Sequence, residues 1–303
     1  MPVRIAIMEL PAIVNPTIRE LNRYGNGIHV AYRTISTAAG AGSVRIERLG
    51  PRSIVAECLA TSPLRLLTPR NHGSAAWIYS ATYGGGLLDG DAIVLDVHVG
   101  EGAAAMLSTQ ASTKVYRSSG TSSRIDGTVA ASGLLMVLPD PVVCFSASNY
   151  RQEQRFSLDE SAGLVLIDWM SSGRHGAGER WQFERYATRL EVHRGRKLVL
   201  LDALRLDRGA GDPASCMGRF NVLCVVVVIG PQVKASAERA MSLIAMRPVT
   251  DRASLLAGAS PIGNDGCIIR LAGESLEEVA SAARECLAFV PLMLGDDPWA
   301  RKW

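Results

Sequence analysis

Ala92-Ile93-Val94-Leu95-Asp96-Val97-His98-Val99 is the stretch that decides the fold class. Ile93, Leu95, Val97 and Val99 fall on one side of an extended chain, with Val94, Asp96 and His98 on the other. That period of two is the mark of a strand buried on one face. Outward from it, similar short runs predict strands at 44–49, 104–109, 134–138, 164–168, 188–193 and 197–202. The aliphatic run from Val222 to Ile229 predicts a fully buried strand. Gly84-Gly85-Gly86 and Pro139-Asp140-Pro141 punctuate these runs. Many short strands at close spacing predict a mainly β protein of stacked sheets or a sandwich.

The last quarter changes character. Ser275 followed by Glu278 reads as a capping box, and Leu276, Val279, Ala280, Ala283 and Leu287 then line one helix face. A second helix is expected over 234–245, both packing across a sheet built from 222–229 and 267–271. At the other end Pro2, Pro11, Pro16 and the small-residue run Thr37-Ala38-Ala39-Gly40-Ala41-Gly42 suggest a poorly ordered leader over 1–42. The expected plan is that leader and one β-rich domain, 43–303, whose helical part spans about 231–295.

Composition narrows the function class. With 48% hydrophobic and 20% charged residues the chain of 303 has ample material for a core. A net charge of +3 without a Lys/Arg block argues against nucleic acid. No apolar run approaches the roughly 18 residues of a membrane-spanning helix. Cys58, Cys144, Cys216, Cys224, Cys267 and Cys286 form no C-x-x-C pair, which points to reduced thiols and a cytoplasmic location.

Several polar segments interrupt the strand pattern. Gly84-Gly85-Gly86-Leu87-Leu88-Asp89-Gly90-Asp91 resembles a phosphate loop, but it lacks the Gly-Lys-Ser/Thr ending and feeds a strand, so it reads as a tight turn. Asp91 is either a turn-capping carboxylate or an ion ligand. Thr109-Gln110-Ala111-Ser112-Thr113-Lys114-Val115-Tyr116-Arg117-Ser118 is either a solvated turn or a surface that holds a partner through Lys114, Tyr116 and Arg117. Cys144 reads as a buried thiol in preference to a soft-metal ligand.

The segment from Asp168 to Trp181 offers Asp168, His175 and Glu179 as donors for a borderline divalent ion. Its alternatives are a structural turn held by Arg174 and Glu179, or a hydrolase loop running from Asp168 to Glu179. No Gly-x-Ser-x-Gly elbow supports the last.

In their order along the chain these motifs resemble the urease accessory protein D family (UreD, also called UreH). The resemblance rests on Tyr83-Gly84-Gly85-Gly86 through Gly90-Asp91, the 109–116 run, Pro139-Asp140-Pro141-Val142 with Cys144-Phe145, and Ser172-Gly173-Arg174 through Gly178-Glu179 with Trp181. It covers residues 43–202 and extends to a Trp-ending tail at Trp303.

The resemblance implies a β-rich, β-helix-like stack of sheets with a few helices near the C-terminal end. It implies no enzyme activity and no tightly bound cofactor. The expected role is a scaffold that binds apo-urease and UreF, reaches the GTPase UreG through UreF, and helps deliver nickel in transit to urease by an internal route. Asp91, Asp168 and Asp202 are the carboxylates that such a route would use. Thr109, Gln110, Lys114, Tyr116, Arg117, Arg174 and Glu179 then either hold a partner or shape their own loops. The absence of a Walker motif agrees, since any nucleotide dependence must come from a partner.

Overall fold

The computed structural model describes residues 38–248 and 250–300. The leader expected over 1–42 falls outside them except for its last residues, and the first strand already begins at Ala41. Residues Arg301 to Trp303 of the expected Trp-ending tail also lie outside the described residues.

Two sheets carry the molecule. The first holds β1 (Ala41–Leu49), β2 (Arg52–Ala60), β5 (Ala92–Val99), β8 (Thr121–Val129), β11 (Asn149–Leu158), β13 (Arg185–Arg194) and β14 (Lys197–Asp207). Its order is β14-β13-β11-β8-β5-β1-β2. The second holds β3 (Leu64–Leu67), β4 (Ala76–Thr82), β6 (Ala104–Thr109), β9 (Leu134–Val137), β12 (Gly163–Ser171), β15 (Val222–Ile229), β16 (Leu255–Ile262) and β17 (Gly266–Gly273). Its order is β16-β17-β15-β12-β9-β6-β4-β3, with the short β7 (Thr113–Val115) and β10 (Val142–Cys144) attached beside β12.

The central strands pair in parallel in both sheets, and the chain alternates between them. Each parallel neighbour is therefore reached by one lap around the core, which is the winding of a β-helix. Tight turns carry the chain from the first sheet to the second after β5, β8 and β11, and these turns stack. Gly102 N donates to Ala131 O at 2.9 Å, Asp159 N to Val129 O at 2.9 Å and Gly163 N to Gly133 O at 2.9 Å. The expected mainly β, stacked-sheet, β-helix-like class is what the chain forms.

Alternation of side chains along each strand divides the interior into layers. Between the sheets lie Leu95, Val97 and Phe156 from the first and Leu107, Leu135, Leu164 and Val227 from the second. The far face of the second sheet presents Trp77, Met136, Ile167, Val226 and Ile269 to the helices. Helix α1 (Pro213–Met217) is short; α2 (Lys234–Ala245) and α3 (Leu276–Cys286) cover this face together with α4 (Val290–Leu294). The expected helix over 234–245 and the buried strand over 222–229 fall on α2 and β15 residue for residue.

Ser275 does cap α3, its Oγ accepting from Glu278 N at 3.4 Å. The reciprocal half of the box is absent, because the Glu278 carboxylate accepts from Ser254 Oγ at 2.8 Å instead. Leu276, expected on the buried face, is exposed, whereas Val279, Ala283 and Leu287 are buried. Strands β2, β3, β4, β7, β8, β10, β11 and β16 were not foreseen, and β8 and β11 bear directly on the site below.

Phe156 is fully buried between the sheets and fills the space opposite Gly127, where an added Cβ would lie 2.4 Å from its ring. Phe156→Ala is expected to cost about 3–5 kcal/mol of unfolding free energy. A urea melt with an unchanged midpoint would refute this packing.

Candidate functional site

Winding places the four returns from the second sheet to the first at one end. The returns from the second sheet to the first are residues 83–91, 110–120, 138–148 and 172–184, leading respectively into β5, β8, β11 and β13. The four polar motifs of the sequence are these four returns, so successive laps stack them side by side.

Specific contacts join each return to the next. Leu87 N donates to Lys114 O at 2.8 Å and Tyr116 N to Leu87 O at 3.0 Å. Gly86 is required here, since a Cβ would stand 2.6 Å from the Tyr116 ring and 2.8 Å from Lys114 O. Asp89 accepts from Ser119 N at 2.7 Å, Ser119 Oγ at 2.8 Å and Gly120 N at 3.3 Å. These bonds hold its carboxyl below the usual carboxylate range. Thr109 Oγ1 accepts from Asp140 N at 2.8 Å. Tyr116 meets Phe145 edge to face at 5.1 Å, and the Arg174 guanidinium lies 4.4 Å from the centroid of the same ring. Glu179 then takes Arg174 Nε at 3.0 Å and Ser146 N at 3.2 Å.

Beneath the returns lies a cavity of about 190 Å³, lined by Gly85 and Gly86, residues 109–113, Pro139 and Asp140 from the loops. Its inner wall sets a polar cluster between the sheets beside apolar side chains such as Leu95, Leu107, Ile125 and Val137. Ser123 Oγ and Tyr150 Oη share a hydrogen bond of 2.5 Å, and Tyr150 Oη donates to Gln152 Oε1 at 3.2 Å. Gln152 Nε2 donates to Asp168 Oδ1 at 2.8 Å, and Thr188 Oγ1 donates to Asp168 Oδ2 at 2.9 Å. Asp168 is only 9% exposed. Burial pushes its carboxyl up, opposed by the Thr188 and Gln152 hydrogen bonds, while the nearby Asp202 charge pushes the same way as burial. Burial likewise raises the Tyr150 and Tyr186 hydroxyls and lifts the Cys144 thiol to about 12, so Cys144 is an inert buried thiol here.

The sequence-derived candidates separate. Asp168, Thr109 and Gln110 share the cavity. Asp202 stands in the same layer at the edge strand β14, paired with Arg270 of β17. Asp91 does not line the cavity: it caps its own turn, accepting from Leu88 N at 2.7 Å. Tyr116, Arg174 and Glu179 shape the loops, and Lys114 and Arg117 are exposed. The Asp168–His175–Glu179 donor set does not assemble, since Asp168 faces the inter-sheet layer, Glu179 is engaged by Arg174 and His175 is exposed. Among the described residues no group of three or more His, Cys, Asp and Glu is placed to hold a metal ion. The hydrolase reading of this loop would pair Asp168 with His175 and Ser171, whereas Asp168 makes its hydrogen bonds to Gln152 and Thr188 instead.

Gln152, Gln154, Thr188, Ser123 and Asp89 were missed by sequence reasoning. A signal existed: Tyr150, Gln152, Gln154, Phe156 and Leu158 keep the period of two, with amides occupying apolar slots.

The sequence model of the family described as UreD urease accessory protein matches residues 38–303. The chain belongs to the UreD family of urease accessory proteins. It is 51% identical to the urease accessory protein UreD of Sorangium cellulosum, over 88% of this chain and 85% of that one. It is 45% identical to the UreD of Anaeromyxobacter, over 88% and 91%. It is 34% identical to the urease accessory protein D of Oryza sativa subsp. indica, over 87% and 96%. UreD membership places the chain among urease maturation proteins, and the stacked returns are the segments that carried the likeness. No helix among the described residues is long and apolar enough to cross a membrane.

The raised Asp168 carboxyl has a defined pH signature. Folding is penalised once the unfolded chain releases this proton, near the ordinary value of 3.8, and the penalty grows as pH rises through the higher folded value. The stability of Asp168→Asn relative to the natural chain is therefore expected to improve from acid toward neutral pH. Urea melts across that range giving a constant difference would show that the carboxyl is not raised.

Proposed function

We propose that this chain is a non-catalytic scaffold of urease maturation. In this reading it binds apo-urease and UreF, engages the GTPase UreG through UreF, and guides Ni²⁺ as cargo along the polar layer between its sheets. Reduced thiols favour a cytoplasmic setting, all six cysteines being free.

The observation that carries this reading is the buried Asp168, set between the sheets under the stacked returns and surrounded by oxygen-bearing side chains. A divalent ion in transit needs oxygen donors that bind weakly enough to release it. Asp168, Gln152, Thr188 and Asp202 supply carboxylate, amide and hydroxyl oxygens on two sheets, with no thiolate–imidazole cage to trap the ion. Ionised Asp168 has no cationic partner among its hydrogen-bonding contacts, so a passing cation would offset its burial cost.

The test is complementation of cells lacking the chain. Asp168→Asn combined with Asp202→Ala is expected to lower urease nickel content at least tenfold while co-elution with UreF on gel filtration persists. His175→Ala, which alters the exposed residue of the discarded hydrolase reading, is expected to leave activation intact. Unchanged nickel loading in the double variant would make the carboxylates purely structural. Normal urease nickel in cells lacking the chain altogether would overturn the maturation role.

A further inference from the structure

The outer face of the first sheet carries a set of surface ion pairs that individually add little to stability. Parallel pairing puts its residues in rows. Arg124, Glu153, Arg189 and Ala203 form one; Asp126, Arg155, Glu191 and Leu201 form the next; Ser122, Arg151, Ala187 and Arg205 form a third. Signs alternate across the first two rows and along the strands, where Arg151 meets Glu153 and Arg205 meets Asp207, so each guanidinium has a carboxylate neighbour.

The two signs are not equally visible. In the pairs of Arg124, Arg151, Arg155, Arg185, Arg189 and Arg205 the arginine side chains are 44–68% exposed, whereas the carboxylates beneath them are 12–24% exposed. A guanidinium has five N–H donors, and the carboxylate below occupies only part of the fork. The remainder faces outward, already oriented, so less side-chain entropy is lost when a second carboxylate arrives. Arg151, Arg185, Arg189 and Arg205 line a groove of about 750 Å³ on this face.

The groove runs out to β14, which ends the sheet. That edge strand extends over eleven residues without proline, and it exposes Leu198 and Leu201 at 45% and 47%. Long apolar edges are ordinarily blunted or covered. Oriented arginines beside exposed leucines form the composition of a protein interface. A polyanion such as nucleic acid fits poorly, because four carboxylates lie under the six guanidiniums and cancel most of the long-range field.

We propose that the outer face of the first sheet, from β8 to β14, docks an acidic surface of a partner protein, its carboxylates meeting the arginine forks and an apolar flank covering Leu198 and Leu201. The proposal rests on the maturation reading only in taking its partner from urease or UreF.

The experiment co-expresses the full chain, tagged, with UreF and the urease subunits, and measures the amount of each retained at low and high salt. Arg151→Glu with Arg189→Glu and Arg205→Glu is expected to reduce retention of one partner at least tenfold and leave the other in place. Ala203→Trp, at an exposed position with no ion pair to lose, is expected to reduce the same partner. It keeps the test valid if the charge reversal impairs folding, which melting midpoints will show. Full retention of both partners by Ala203→Trp and by a folded charge-reversed chain overturns the docking face alone. Retention of neither partner by the natural chain overturns the maturation reading and the docking face together. Binding of the natural chain to duplex DNA or phosphatidylglycerol vesicles, lost in the charge-reversed variant, would replace the protein partner with a polyanion.

Discussion

The structure depends on parallel pairing between successive laps of the chain. A parallel neighbour can be reached only by leaving the sheet and returning to it, and here each excursion supplies a strand of the opposite sheet. The tight turns stack by backbone hydrogen bonds such as Gly163 N to Gly133 O, 2.9 Å. This fixes the register of one end of every lap. The opposite ends inherit that register, so segments separated by many residues in sequence are forced into contact. Asp89 reaching Ser119, and Tyr116 reaching Phe145, follow from the winding.

This explains which parts of the fold were legible. A strand with apolar residues in every inward slot, as β5 has in Ile93, Leu95, Val97 and Val99, announces itself by alternation. Strands β8 and β11 do not, because Ser123, Gln152 and Gln154 occupy inward slots beside Ile125 and Phe156. These two hidden strands supply Ser123, Tyr150, Gln152 and Gln154 to the polar layer, and the feature that obscured them is the feature that matters to the site. The β-helix repeat was equally invisible. Ala92, Ser122, Arg151 and Ala187 stand in one row yet mix small, hydroxyl and cationic side chains, because backbone hydrogen bonds set the register without requiring sequence identity.

The candidate site was legible in part for a related reason. Asp168 was singled out as an ion donor at the head of a polar segment and by the family resemblance, but its partners Gln152 and Thr188 lie on strands of the other sheet. Asp91 was favoured over Asp89 by its position at the strand entrance. The geometry reverses their structural weight, since Asp89 ties two returns together with three hydrogen bonds and Asp91 closes only its own turn. Sequence distance carries no information about such ties.

The two faces of the first sheet solve one electrostatic problem in different ways. In-register parallel strands bring residues from successive laps to within a strand spacing of about 4.8 Å, so like charges in a row would repel. On the outer face, where water screens and side chains are free to move, alternating Arg and Glu or Asp satisfy the constraint with pairs worth at most about 1 kcal/mol each. Inward, an ionised pair would have to repay a much larger desolvation cost. The chain uses neutral donors there instead: amides and hydroxyls converge on the single carboxylate of Asp168. A guanidinium appears only where the layer reaches the edge, as Arg270 on Asp202. Asp168 is thereby held through neutral donors alone among its hydrogen-bonding contacts, so its charge state is set by burial and by those donors, not by a neighbouring guanidinium.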